Sequence, residues 1–288
     1  MNTAVARLHA ETIRHRATSI PASQRAGVLD FFRHQGIWSP GVKLFRTLQF
    51  RTKALWVSVA FLIPLCALFY LQWQTASNQI ASTKLEQQGV DYVRPLLAWI
   101  KVAQDRRQAA VLGTEPLDKL QQKAAAAMLQ VEAQQTAHGA ALGTQKAFEL
   151  FKQLQGDVQS KPVGSTADET FKDHSELLAA ALELTKSVVN SSGLILDPDA
   201  DSYHLINMTM VFGPDQTENT SRLTTLGTLM LKTNDASTER HEAMTVGGSI
   251  QRFLDGFVES SYLNGTADLS DAEKAPLGMK ATDDAFDA

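Results

Sequence analysis

Cysteine is almost absent from this chain of 288 residues, which contains a single one, Cys66. One thiol excludes an intrachain disulfide and any metal centre that several thiolates would hold. Cys66 also lies within the longest apolar run of the sequence, where we expect a small packing or lipid-facing residue. The fold must therefore be held by an apolar core, for which the chain is long enough.

Sequence motifs of the common enzyme classes are missing as well. The chain has no glycine-rich phosphate loop, no nucleophile elbow and no His-Glu-x-x-His pattern. Four histidines beyond the apolar run are widely spaced, and we expect most of them at the surface: His138, His174, His204 and His241. The sequence thus predicts no catalytic residues, no cofactor and no metal site, and we expect that the protein is not an enzyme.

What the sequence does contain is a run of eighteen uncharged, mostly apolar residues at positions 54–71, ALWVSVAFLIPLCALFYL. A helix of that length covers about 27 Å, close to the hydrocarbon thickness of a bilayer. Arg51 and Lys53 precede the run and Trp73 follows it, which matches the basic and aromatic residues found at opposite membrane interfaces. Residues 54–73 are therefore predicted to form a transmembrane helix.

Two other interpretations of this run are weaker. A buried core helix of this length normally carries a polar stripe, which the run lacks. A secretory signal peptide has an apolar region of about 7–15 residues close to the N-terminus, whereas 53 residues precede this longer run. We therefore expect a span that is not cleaved.

Charge is distributed unevenly around the predicted span. Residues 1–53 carry nine basic and two acidic side chains, whereas residues 54–288 carry eighteen basic and twenty-nine acidic ones. Because basic segments stay on the cytoplasmic side of bacterial membranes, residues 1–53 are predicted to form a cytoplasmic tail beside anionic lipid, with no role in nucleic-acid binding. Residues 74–288 are then predicted to lie outside the cytoplasm.

Beyond the span, apolar residues recur at three- and four-residue spacing, and the alternation typical of strands is absent. The predicted helices cover residues 54–111, 117–155, 169–190, about 200–231 and 238–261, and another begins near Asp271. Two glycines, Gly139 and Gly143, make a break in the second helix an alternative, and Pro95 predicts a kink or break in the first. Long helices with one apolar face each predict an all-α fold, in which the transmembrane helix continues into an elongated antiparallel bundle.

The most distinctive stretch beyond the span is SSGLILDPDADSYHL, residues 191–205. Asp197 followed by proline is typical of a helix N-cap, and Asp201 is the alternative cap if the helix starts later. Asp197, Asp199 and Asp201 also match the first three ligands of a calcium loop, but serine and methionine replace its obligatory glycine and glutamate. An EF-hand is therefore excluded, and a looser cation site is a weaker alternative to a helix start.

Arginines on the first helix are the candidate binding groups. If the third predicted helix rises about 40 Å from a turn near the membrane, the aspartate turn lies level with residue 105. Gln104, Arg106 and Arg107 would then face the three aspartates, either as a salt-bridge network or as a site where arginine binds a small carboxylate. The predicted ligand-binding residues are Tyr92, Arg94, Arg106, Arg107 and Tyr203.

Three segments of the chain resemble the N-terminal half of bacterial transmembrane sensors: FRTLQFRTKALWVSVAFLIPLCALFYL, QQGVDYVRPLLAWIKVAQDRR and SSGLILDPDADSYHLINM. The resemblance covers about residues 38–260 and is to methyl-accepting chemotaxis receptors with a helical-bundle periplasmic sensor domain. Similar sensor halves also precede histidine kinases and diguanylate cyclases. It implies a homodimeric membrane receptor in signal transduction, with a four-helix bundle that binds a small periplasmic ligand such as a carboxylate.

This sequence departs from that family pattern towards its end. No second span and no signalling region with methylatable glutamates follow the predicted bundle. We therefore expect a sensory portion that is truncated before its second span, with an unusual single-span protein as the alternative. A different function class also stays open, namely a structural or protein-interaction module anchored in the inner membrane.

Overall fold

The computed structural model describes residues 48–161, 166–235 and 237–275. Every regular element within those ranges is helical and none is a strand, which confirms the predicted all-α class. The predicted cytoplasmic tail, residues 1–53, lies almost entirely outside the described residues.

Eight α-helices are present in the described part of the chain, together with one 3-10 and one π-helical segment. In chain order they are α1 (Phe50–Leu112), α2 (Leu117–Leu142), α3 (Gln145–Ser160), α4 (Ala167–Ser191), the 3-10 turn (Leu194–Leu196), α5 (Ala200–Ile206), the π segment (Asn207–Phe212), α6 (Gly213–Thr233), α7 (Thr238–Gly265) and α8 (Asp271–Lys274).

Helix α1 is continuous over 63 residues, as the sequence predicted, and Pro95 does not interrupt it. Its apolar part is long and apolar enough to cross a membrane, by length and composition. The large apolar side chains of residues 54–73 are exposed, in contrast to those that follow residue 88. The chain divides into two compact units between Thr75 and Ala76, and α1 contributes residues to both.

The single helix predicted for residues 117–155 is wrong, because the chain turns at Gly143 and forms the two helices α2 and α3. Gly143 has φ of 62°, a left-handed conformation that glycine adopts without strain. The two helices form a hairpin: Gln135 Nε2 donates to Gln145 Oε1 at 2.9 Å, and further from the turn Lys152 Nζ lies 2.9 Å from Glu132 Oε1.

The helix predicted over about residues 200–231 is present as α5, the π segment and α6, which follow one another without a break. Pro214 is the second residue of α6, which follows the π segment without a break, and its missing N–H leaves the preceding turn without one backbone donor. The π segment comes immediately before Gly213, and such segments are local widenings of a helix that are frequent at functional sites.

Helices α1 to α4 supply nearly all of the apolar core of the second unit. Trp99 on α1 contacts Phe151 on α3 edge-to-face, with ring centroids 4.7 Å apart. Leu178 and Leu184 on α4 are fully buried in the same core. Each such side chain contributes about 1.5–3 kcal/mol by leaving water, so this core dominates the stability of the unit.

Helices α1 and α4 run in opposite directions. Near the start of α4, Ser175 Oγ accepts a hydrogen bond from Arg107 on α1. At its end, Ser192 packs so closely on Gly89 that a Cβ at residue 89 would lie 2.5 Å from Ser192 Cβ. Position 89 therefore has room only for glycine, and the aspartate-rich turn that follows Ser192 begins at the level of residue 89.

Candidate functional site

Arg107 on α1 binds Glu218 on α6 inside the second unit. Arg107 Nη1 lies 2.5 Å from Glu218 Oε1 and Nη2 lies 3.2 Å from Oε2, so the contact is bidentate. The side chains are 0% and 8% exposed, respectively. A paired, bidentate arrangement is what permits two opposite charges to be buried together.

Polar neighbours satisfy most of the remaining hydrogen-bonding groups of this pair. Arg107 Nη1 also donates to Ser175 Oγ at 3.2 Å, and Nη2 donates to Ser221 Oγ at 2.9 Å. Gln104 Nε2 donates to Glu218 Oε2 at 3.2 Å. Four of the five guanidinium N–H groups thus have acceptors, and the buried Nε–H of Arg107 has none.

Positive charge exceeds negative charge around the pair. Arg106 is half-buried and forms no ion pair with another described residue, and burial lowers its pKa. Burial also lowers the pKa of Arg107, although Glu218 opposes that shift. Arginine keeps its proton even after such shifts, so both guanidinium groups carry charge.

His174 on α4 lies beside the two arginines and is 7% exposed. Burial lowers the pKa of its imidazole to about 4, and the positive charges of Arg106 and Arg107 act in the same direction. The ring is therefore neutral at pH 7. The sequence offered no sign that this histidine, unlike most, would be buried next to cations.

Two arginines lie over the ring of Phe171 on α4. The guanidinium carbon of Arg107 lies 5.4 Å from the Phe171 ring centroid, and that of Arg222 lies 6.0 Å from it. Both distances allow attraction between a cation and the aromatic face. The aromatic ring and Glu218 thus offset part of the repulsion among the clustered arginines.

The predicted pairing of these arginines with the aspartate turn is wrong. The partner of Arg107 and Gln104 is Glu218, whereas the turn containing Asp197, Asp199 and Asp201 begins near Gly89. The prediction assumed that the third helix runs in the same direction as the first. The extra turn at Gly143 adds one helix and reverses the direction of α4.

The aspartates of this turn bind backbone groups of the turn itself. Asp199, not Asp197 or Asp201, is the N-cap of α5, and its Oδ1 accepts from the N–H of Asp201 at 3.4 Å. Asp197 Oδ1 accepts from the N–H of Asp199 at 2.9 Å. In the described part of the chain no three metal-ligating side chains cluster, so the looser cation site is not formed by these aspartates.

Tyr92 is fully buried and belongs to a separate polar network. Its hydroxyl donates to Gln135 Oε1 at 2.7 Å, and Thr144 Oγ1 donates to the same oxygen at 2.8 Å. Burial raises the pKa of Tyr92 well above its ordinary value, so the phenol stays protonated. This network supports the turn between α2 and α3 and leaves Tyr92 without a face towards solvent.

Arg94 and Tyr203 lie apart from the buried pair. Arg94 is exposed and lines a surface groove of about 380 Å³ together with Asp91 and Gln134. Tyr203 is 39% exposed and contacts the neighbouring His204 ring. No hydrogen bond or ion pair joins any two of the five predicted ligand-binding residues.

Glu218 was not predicted as part of the site. It lies 111 residues from Arg107, and a glutamate on a helix is most often a solvated residue. The one available signal is the helical spacing of Glu218, Ser221 and Thr225, which places them on one face of α6. That signal does not identify which helix the face meets.

No protein-family model, curated protein or solved structure matches this chain.

Proposed function

We propose that the chain is the sensory portion of a bacterial membrane receptor, similar to the chemotaxis receptors that its sequence resembles. Helix α1 would cross the inner membrane at residues 54–73, with the N-terminus in the cytoplasm. Residues 74–288 would form an elongated antiparallel helical bundle in the periplasm. In this proposal the protein binds a ligand and transmits a signal, and it catalyses no reaction.

The observation that carries this proposal is that α1 includes both the apolar run and Arg107. A ligand that alters the packing of α1 against α6 would change the position of a helix whose own chain continues into the membrane. Helix displacements of about 1–2 Å at subunit interfaces are a known form of allosteric signal. A ligand produces such a shift only if it binds one arrangement more tightly than the other.

We also propose that the receptor is a homodimer. Four apolar side chains on α7 recur at the four-three-four spacing of a coiled-coil seam and are all at least 41% exposed: Val246, Ile250, Phe253 and Phe257. A two-fold axis beside α7 would bury this seam against its copy in a second chain. Membrane anchoring would hold both copies in the same orientation.

One observation favours a second candidate function, a structural or protein-interaction module. Arg107 already binds a carboxylate of its own chain, that of Glu218. Glu218 thus occupies the position that a carboxylate ligand would take. In a module of this kind, the buried pair would only specify how α1 packs on α6. The exposed seam on α7 would then bind another protein.

Ligand binding by the full chain in lipid nanodiscs would separate these candidates. We expect calorimetry with a panel of amino acids and small organic acids to give saturable binding by at least one of them. The absence of binding to every member of the panel, in a folded and membrane-inserted sample, would contradict the sensory proposal and favour the interaction module. Topology is tested by reporter fusions at residue 275, where we expect alkaline phosphatase to be active and a cytoplasmic fluorescent protein not to be.

A further inference from the structure

A surface groove between α1 and α2 has features that the buried pair lacks. It encloses about 380 Å³ and is lined by Asp91, Arg94 and Pro95 from α1, by Gln130 and Gln134 from α2, and by one alanine from each helix. Pockets for small molecules have volumes of about 300–1,000 Å³. The two alanines keep the space open, so the groove accommodates a small polar molecule.

Two opposite charges in this groove have no partner within the described structure. Asp91 and Arg94 are one helical turn apart on the same face, yet neither forms an ion pair or a side-chain hydrogen bond with another described residue. Arg107, by contrast, is fully enclosed by its own chain. The groove therefore presents one free carboxylate and one free guanidinium to solvent, side by side.

Two further acceptor oxygens belong to residues that line the same groove. Gln134 Oε1 is buried and accepts no hydrogen bond. Pro95 has no N–H, so the backbone carbonyl of Asp91, four residues earlier, lacks its usual helical donor. Together with the two oxygens of the Asp91 carboxylate, these are four acceptor oxygens, enough for the three N–H donors of a primary ammonium group.

We propose that this groove binds a small zwitterion with a primary ammonium and a carboxylate, such as a free α-amino acid. Arg94 binds the carboxylate through its planar fork of N–H groups, and the oxygens of Asp91 and Gln134 bind the ammonium. A dicarboxylate without an amine is disfavoured by Asp91, and a diamine is disfavoured by Arg94. This assignment rests on the proposed sensory function and names the ligand class and its site.

The test is calorimetric titration of the full chain in nanodiscs with each of the twenty L-amino acids. Matched probes are the N-acetylated acid and the carboxamide of whichever amino acid binds, since each lacks one of the two charges. We expect the free amino acid to bind and both derivatives to bind at least about tenfold more weakly, because each loses a charge-assisted contact.

Variants of the two charged residues identify the groove. We expect Arg94→Gln and Asp91→Asn each to weaken binding by about ten- to a hundredfold, with unchanged circular dichroism, because both side chains are exposed. Arg252→Gln and Glu259→Gln, which alter exposed charges on α7, serve as matched controls and should bind like the wild type.

The outcomes separate this assignment from the function on which it rests. Binding of an amino acid that neither Arg94→Gln nor Asp91→Asn weakens would overturn the groove assignment and leave the sensory function standing. If organic acids without amines bind and no amino acid binds, the groove assignment is likewise overturned and the sensory function stands. Failure of every amino acid and organic acid to bind would overturn both.

Discussion

Gly89 on α1 lies directly against Ser192 at the end of α4, with no space for a side chain between them. A Cβ at residue 89 would lie 2.5 Å from both Cβ and Oγ of Ser192 and 3.0 Å from Leu194 Cδ1. Because α4 also meets Arg107 through Ser175, these two contacts set the direction and the register of α4 along α1. The same register keeps the aspartate turn away from the buried arginine.

Replacing Gly89 with alanine should destabilise the protein. Overpacking against Ser192 costs about 1–3 kcal/mol, which exceeds the roughly 0.5–1 kcal/mol that alanine contributes by helix propensity. We expect a lower urea midpoint by circular dichroism in mild detergent. The matched control is Gly156→Ala on α3, which meets nothing within 4 Å and should be stabilising. Adding Ser192→Gly should restore most of the loss, and a Gly89→Ala variant as stable as the wild type would contradict this packing.

Breaking the Arg107–Glu218 pair should cost more than removing both charges. Arg107→Met or Glu218→Leu alone leaves an uncompensated buried charge, which destabilises by about 3–5 kcal/mol. The double variant leaves neither charge, so we expect it to be more stable than the sum of the two single losses implies. Urea unfolding of all four proteins gives this coupling energy. Simple additivity would show that the two side chains do not interact.

Acid should weaken the fold through His174. Its pKa is lowered to about 4 in the folded protein, whereas an unfolded histidine titrates near 6.5. Between those values the unfolded chain binds a proton that the folded one does not, so the free energy of unfolding falls as the pH falls from about 6.5 to 4. The full effect is about 3 kcal/mol.

The His174→Gln variant isolates this effect, because other groups also titrate in acid. We expect the free energy of unfolding of this variant to change less than that of the wild type between pH 6.5 and 4. The difference between the two proteins then gives the contribution of His174 protonation alone. NMR titration of the His174 ring measures the pKa directly. A value near 6.5 would contradict the buried, cation-facing position of the ring.

The apolar seam on α7 should control self-association. We expect Ile250→Glu and Phe253→Ser each to weaken the proposed homodimer at least about tenfold, because a central apolar contact is worth more than about 1.4 kcal/mol. Sedimentation in detergent, corrected for bound detergent, measures the equilibrium. Leu150→Ser on α3 is the control, since Leu150 is 53% exposed and lies outside the seam. A dimer that all three variants leave intact would place the interface elsewhere.

Sequence patterns predicted the helices well where the determinant is local. The end of α4 and the continuous α1 follow from apolar spacing and from helix-forming residues. Gly143 was recognised as a position where a helix could break, but propensity alone does not decide between a tolerated glycine and a turn. Thr144 decides it here, because its side chain joins Gln135 and Tyr92 in the network beneath the turn.

The candidate site was predicted only in part. Arg107 and Gln104 do belong to a buried charged cluster, but their partner is Glu218 and not the aspartate turn. The groove at Arg94 depends on α2 lying beside α1, so that Gln134 lines the same space as Asp91 and Pro95. Neither relationship has a signature in the spacing of residues along one helix.

The sequence by itself determined that the described chain is helical and that one run of α1 is apolar enough to cross a membrane. Both properties depend on residues within a few turns of one another, so composition and periodicity are sufficient. Only the tertiary structure decided that the buried charge of Arg107 pairs with Glu218. That choice depends on the direction of each helix, and a single turn at Gly143 reverses α4 relative to the direction expected from the sequence.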